Sequence, residues 1–121
     1  MKQIDNTLKV INPITGEPQQ FVGEDEETRD ARPSDMIGVL VRQIPIETMD
    51  DSDHGAQLLD MLRGDIGDVL NIERADHEWL MKKIKAFGPK VFSLAAKRVE
   101  DALQPMSVSE RKEAKAEEKK E

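Results

Sequence analysis

Cysteine and tyrosine are both absent from this chain of 121 residues. Without thiols the protein can form no disulfide bond, no thiolate zinc cluster and no cysteine nucleophile. One Trp and three Phe are present, so a hydrophobic core must be built mainly from Leu, Ile, Val, Met and Ala. No apolar run is long enough to cross a bilayer, and the N-terminus lacks the apolar stretch of a signal peptide. These absences predict a cytoplasmic protein that does not enter a membrane.

Charge, in contrast, is abundant and unevenly distributed. Charged residues make up 36% of the chain and the net charge is −7. Residues 1–78 hold 18 acidic and 7 basic residues, a balance of −11, whereas residues 79–121 hold 7 acidic and 11 basic residues, a balance of +4. The acidic part would repel phosphates, which disfavours nonspecific binding to nucleic acid. Either both parts are ordinary solvated surface, or the molecule is dipolar and its two ends prefer different partners.

The sequence carries no recognisable motif for catalysis, for a metal or for a cofactor. Residues 50–55 resemble the start of a calcium loop, but the twelfth position is Met61, where a bidentate Glu is needed. We expect a solvated acidic turn there. His54 and His77 have no cysteine partners and no compact zinc spacing, so we expect both at the surface or in capping turns at helix starts. The seven glycines form no phosphate-binding loop. We therefore predict a non-enzymatic protein without a cofactor or a metal.

The N-terminal part has the composition of a β-hairpin followed by an acidic loop. Residues 7–11 and 20–22 are rich in apolar and β-branched side chains, and residues 12–18 between them contain the Pro and Gly of a turn. We expect residues 7–22 to form a hairpin. Residues 23–35 contain six acids and almost no apolar side chain, which predicts a mobile loop.

Helical spacing of the apolar residues predicts four helices after this loop, at about residues 35–44, 53–63, 77–87 and 89–103. The expected N-caps of the first three are Ser34, then Ser52 or Asp53, then Asp76. The third and fourth helices meet at Gly88 and Pro89, which predicts a helical hairpin because Pro suits the first turn of a helix. Residues 69–72 are expected to form a short extended link that docks on the core.

The predicted fold is mainly α: a small helical domain of about four helices with an N-terminal β-hairpin and a charged C-terminal tail. The single domain covers residues 1–105. Residues 106–121 are mostly charged and have no apolar face. We expect them to form a frayed helix or to be disordered.

The order of these elements resembles a loose group of small accessory proteins of tailed bacteriophages. The resemblance is carried by the turn at residues 12–18, the helix start at 34–40, the link at 68–72, the helix at 76–85 and the Gly-Pro joint at 87–91. It extends over residues 7–103, whereas the charged tail is additional and the second helix is short for this pattern. The resemblance implies a protein that acts inside an infected bacterium through contacts with other proteins, and it supplies no catalytic motif.

Three functions fit these observations, in descending order. The first is a non-catalytic phage accessory protein for virion assembly, acting as a chaperone, adaptor or minor structural subunit in the host cytoplasm or on the virion. The alternative is a small acidic inhibitor or modulator of a host protein. The third and weakest is a DNA-binding regulator that uses the face from Lys82 to Arg98. The expected partner is a phage structural protein, a host protein or a second copy of the chain.

Exposure and charge select the candidate partner-binding residues. They belong to the hairpin tip, to the acidic loop and to the lysines of the closing helices. They are Ile14, Thr15, Glu24, Asp25, Glu26, Glu27, Lys82, Lys83, Lys90 and Lys97.

Overall fold

The computed structural model describes residues 1–22, 26–64 and 66–106. Its four strands are β1 (Lys2–Asp5), β2 (Gln20–Val22), β3 (Thr28–Asp30) and β4 (Val69–Ile72). Its helices are α1 (Pro33–Gln43), α2 (Met49–Arg63), α3 (Arg74–Phe92) and the seven-residue α4 (Ala96–Ala102), with a 3₁₀ turn at Ser93–Ala95 between the last two. Among the described residues, no helix combines the length and the apolar content that crossing a membrane would require.

The strand pairing differs from the predicted hairpin. β1 pairs antiparallel with β4, with Ile4 opposite Leu70, and β2 pairs antiparallel with β3. Residues 7–11 therefore do not form a ladder with residues 20–22. The chain still reverses at the predicted turn, where one β-bridge between Ile11 and Pro18 joins its two sides, with backbone hydrogen bonds from Gln19 to Val10 at 2.6 Å and from Asn12 to Glu17 at 2.8 Å. The pairing does not extend further because the carbonyl of Gln19 accepts the amide hydrogen of Ala31 at 2.7 Å. The pairing of β1 with β4 spans a sequence separation that local patterns do not reveal.

The segment predicted as a mobile acidic loop contains β3. Arg29, in that strand, makes a bidentate contact with the carboxylate of Asp35 through two nitrogen–oxygen distances of 2.6 Å. The guanidinium of Arg29 also lies 5.0 Å from the ring centre of Phe21 in β2. These two contacts attach the β2–β3 pair to the first turn of α1.

Both of the first two helices begin earlier than predicted, and with different caps. α1 starts at Pro33, and the amide of Arg32 donates to Asp35 Oδ2 at 2.9 Å, while Ser34 is a buried residue inside the first turn. α2 starts at Met49, where Thr48 Oγ1 accepts a hydrogen bond from the amide of Asp51 at 3.0 Å. Residues 50–55 are therefore helical, and the prediction of a solvated acidic turn was wrong.

The predicted helical hairpin at Gly88 and Pro89 was also wrong, because α3 continues through both residues. A residue before proline avoids the helical region mainly because its Cβ and amide meet the proline ring, and Gly88 has no Cβ. Pro89 is exposed, so water can reach the carbonyl of Lys85 that loses its helical donor. Gly88 is buried, and a Cβ there would lie 3.1 Å from Cγ1 of Ile84 and 3.5 Å from Cβ of Ala96. The tight contact is the one with Ile84, a core residue of α3 itself.

The chain reverses instead at Ser93, whose φ of 54° lies in the left-handed region. The residues predicted as the fourth helix, 89–103, are divided among the end of α3, the 3₁₀ turn and α4. A small helical fold is confirmed, with two small antiparallel sheets added, whereas four comparable helices are not.

One hydrophobic core joins all of these parts. Its fully buried side chains come from β1, β4 and the four helices, and they include Ile4, Ile72, Ile37, Leu40, Leu58, Leu80, Ile84, Val99 and Leu103. Trp79 is also buried in this core.

Candidate functional site

A polar cleft of about 540 Å³ lies between α2 and α3. Its lining residues come from the first turns of α2 and from one face of α3. They are Thr48, Asp50, Asp51, His54, Ala75, Glu78, Trp79, Lys82, Lys83 and Ala86. The cleft combines an indole, an imidazole and charges of both signs.

Asp51 is the anchor of the cleft. Its Oδ1 accepts a hydrogen bond of 2.9 Å from Trp79 Nε1 and lies 3.1 Å from Lys83 Nζ, and its Oδ2 accepts the amide hydrogen of Glu47 at 3.1 Å. The hydrogen bond from Trp79 is the main reason that the pKa of Asp51 lies well below its usual range, and the Glu47 amide and the Lys83 ammonium act in the same direction. Asp51 therefore stays ionised and holds the two helices in register.

His54 and Asp76 form a second contact between the same helices. His54 Nδ1 lies 2.6 Å from Asp76 Oδ1, and Asp76 is buried. Because an ionised carboxylate can only accept hydrogen bonds, Nδ1 carries the proton and Nε2 is the ring atom left for the cleft. With its amide nitrogen turned toward Asp76, Gln57 donates to Oδ2 at 2.8 Å. The His54 ring stacks on Trp79 at 5.8 Å between ring centres.

Neither histidine is an exposed residue, although His77 lies in the first turn of α3, as one form of the prediction had it. The side chain of His54 is 25% exposed. His77 is buried, and its Nε2 donates to the carbonyl oxygen of Leu103 at 3.0 Å. Asp76 was predicted to cap α3, but Glu73 is the N-cap and Asp76 lies three residues inside, where its carboxylate holds His54.

The hairpin tip, which was predicted to bind a partner, is an ordered turn. The amide of Ile14 donates to Asn12 Oδ1 at 2.8 Å, the amide of Gly16 to the carbonyl of Asn12 at 2.8 Å, and the amide of Glu17 to Thr15 Oγ1 at 3.2 Å. Gly16 has a φ of 74°, which favours glycine at this position. The side chain of Ile14 is 74% exposed. The turn therefore presents an apolar side chain to solvent from a hydrogen-bonded backbone.

The four acidic residues predicted at 24–27 are only partly described. Glu24 and Asp25 lie outside the described residues, while Glu26 and Glu27 are exposed. The structure thus gives the position of two members of this group.

The four lysines predicted to bind a partner do not form one free cationic surface. Lys82 and Lys90 are exposed. Lys83 is not, because its side chain is only 18% exposed and its ammonium pairs with Asp51 beside the rings of Trp79 and Phe87. Lys97 contacts Glu100 at 2.9 Å and Asp101 at 3.1 Å, and these bonds raise its pKa. The lysine-rich face therefore offers a partner less unpaired positive charge than its composition indicates.

The sequence did contain a signal for the missed cleft. Asp51 and His54 are three residues apart, and Trp79 and Lys83 are four apart, so each pair lies on one face of a helix. The signal for the first pair was lost when residues 50–53 were assigned to a turn. Comparison of the chain with protein-family models, with curated proteins and with solved structures found no match.

Proposed function

We propose that this protein is a non-catalytic accessory protein that acts through protein–protein contacts in the assembly of a tailed-phage virion. It would serve there as a chaperone, an adaptor or a minor structural subunit in the cytoplasm of the infected cell or on the particle. The phage context of this proposal comes from the order of sequence elements described above.

The observation that supports it best is the hairpin tip. An apolar side chain that is held exposed by a preorganised backbone loses little conformational entropy on binding, which favours its use as an anchor in an interface. Ile14 meets this condition, because the turn around it is closed by hydrogen bonds from the Asn12 side chain and backbone. A single exposed apolar residue is common on protein surfaces, so the order of the turn carries the argument.

The proposal is tested by capturing partners of the tagged full-length protein from lysates of phage-infected and uninfected bacteria. We expect phage structural proteins to be recovered after infection. We expect Ile14→Asp to lower their recovery about tenfold or more, since losing a central apolar anchor costs at least about 1.4 kcal/mol.

Leu94→Asp is the matched control, because Leu94 is also a largely exposed apolar residue, at 66%, but lies away from the turn in sequence. It should leave the recovery unchanged, and circular dichroism should show that both variants fold. Equal capture by wild type and Ile14→Asp would refute the role of the tip. A single host protein captured from both lysates would refute virion assembly and favour an inhibitor of that host protein.

A further inference from the structure

The mouth of the α2–α3 cleft carries charges of opposite sign on its two sides. On α2, Asp50 lines the cleft and Asp53 is exposed three residues further along. On α3, Lys82 lines the cleft and Lys85 is exposed three residues further along. We call Asp50 and Asp53 the acidic wall, and Lys82 and Lys85 the basic wall. Within the described part of the chain, none of these four side chains makes a hydrogen bond or an ion pair.

The other charges of the cleft are already compensated within the chain. Lys83 pairs with Asp51, His54 contacts Asp76, and Glu78 Oε1 lies 3.1 Å from Arg74 Nε. The two walls therefore supply the net charge at the mouth, negative along α2 and positive along α3.

Asp50 and Lys82, the members of the two walls that line the cleft, lie beside the same stretch of it. Asp51 contacts Lys83, and His54, further along α2, contacts Asp76, which comes earlier in α3. The two helices are thus antiparallel, and the first turns of α2 face the middle of α3. Asp50 and Lys82 both line the cleft there, on opposite sides of it.

We propose that this cleft is a self-association surface on which a second copy of the chain docks face to face. A two-fold axis that lies along the cleft places the acidic wall of each copy on the basic wall of the other. A second copy carries the complementary arrangement of charges by symmetry, which is why the surface fits it better than an unrelated partner. The small side chains of Ala75 and Ala86 line the same cleft and permit close approach. This surface uses none of the residues of the hairpin tip and is independent of the function proposed above.

Charge pairs at an exposed interface contribute mainly to the specificity and the rate of association, and salt screens them. We therefore expect the dimer to weaken as the ionic strength rises from about 0.05 M to about 1 M, where the Debye length falls to about 3 Å. Like any reversible dimer, it also dissociates on dilution.

The test is sedimentation equilibrium of the full chain in low salt, over about a hundredfold range of concentration. The wild-type mass should rise from the monomer value of 13.7 kDa toward twice that value. The double variant Lys82→Glu/Lys85→Glu has two acidic walls and should remain monomeric. The double variant Asp50→Lys/Asp53→Lys has two basic walls and should also remain monomeric. An equimolar mixture of the two variants should form a heterodimer.

All four substituted residues are exposed, so the fold should persist, and circular dichroism checks this. Asp50→Asn/Asp53→Asn is the milder variant in case the new lysines disturb the start of α2, and it should weaken association at least severalfold. A wild type that stays monomeric throughout overturns the proposal. So does a wild-type dimer that survives both charge reversals, or a mixture of the two reversed variants that does not associate.

Discussion

Asp51 and Asp76 show how strongly position changes the role of one residue type. Both are buried aspartates with partners on the opposite helix. Asp51 receives an indole N–H, a backbone N–H and an ammonium, so three donors compensate its charge. Asp76 instead fixes the tautomer and the orientation of a histidine. An isolated buried carboxylate would be costly, and these partners remove that cost.

The low pKa of Asp51 makes a prediction about acid stability. The folded pKa lies below the unfolded value of about 3.9, so the stabilisation from Asp51 is complete above that value. It is lost as the pH falls through about 4 and then through the lower folded pKa, because the unfolded state takes up the proton first. We therefore expect the difference in unfolding free energy between wild type and Asp51→Asn to be largest near pH 7 and to shrink below about pH 4.

Urea denaturation at a series of pH values measures this difference. Asp60→Asn, on the exposed side of the same helix, controls for the loss of one negative charge. A gap between wild type and Asp51→Asn that stays constant down to pH values near 3 would contradict the assignment, since it would mean that the folded state does not hold the carboxylate ionised.

The end of α3 shows how two neighbouring residues decide where a helix stops. Gly88 and Pro89 form a strong termination signal in the sequence, yet the helix passes them because Gly88 has no Cβ to meet the proline ring and Pro89 faces solvent. The reversal comes at Ser93, whose amide still donates to the carbonyl of Pro89. Ser93 adopts a positive φ at this reversal, where the 3₁₀ turn that leads to α4 begins.

Ser93 is a position where glycine should be better than the native residue. A left-handed backbone destabilises an L-residue by about 1 to 2 kcal/mol. Glycine avoids this cost, but its greater freedom in the unfolded state lowers the stability by about 0.5 to 1 kcal/mol. We therefore expect Ser93→Gly to stabilise the protein by about 0.5 to 1 kcal/mol, measured as a higher urea midpoint at an unchanged slope.

Ser93→Ala keeps the Cβ and should bring no gain. If Ser93→Ala stabilises the protein as much as Ser93→Gly does, the effect comes from removing the exposed hydroxyl, and the backbone of Ser93 is not strained.

At the scale of the whole molecule, the N-terminal segment ties together parts that are far apart in sequence. β1 pairs with β4, and Asn6 directly after β1 is fully buried. Asn6 Oδ1 accepts the amide hydrogen of Ser34 at 2.9 Å, and its Nδ2 donates to the carbonyl of Gly67 at 3.0 Å. One side chain thus connects the start of α1 with the segment before β4.

Asn6→Ala should destabilise the protein by about 1 to 3 kcal/mol, because it leaves the buried amide of Ser34 without an acceptor. Chemical denaturation measures the change. Asn71→Ala is the matched control: its side chain also accepts a hydrogen bond, from Gln3 Nε2 at 3.1 Å, but at an exposed position, and it should cost less than about 0.5 kcal/mol. Equal losses in the two variants would contradict the connecting role of Asn6.

The sequence by itself determined the features that depend on local patterns. The apolar spacing of the second half of α2 and of α3 predicted helices in these places, and the turn at residues 12–18 was identified from its Pro and Gly. These predictions succeed because helix periodicity and turn chemistry act over a few residues.

Only the tertiary structure decided which distant segments meet. No local pattern pairs β1 with β4, buries Asn6, brings His54 onto Asp76, or removes Lys83 from the surface by pairing it with Asp51. The same holds for the passage of α3 through Gly88 and Pro89, because the tertiary structure decides that Pro89 faces solvent. The physical reason is the same in each case: burial and pairing free energies belong to contacts between segments, and they exceed the small local preferences from which a sequence is interpreted.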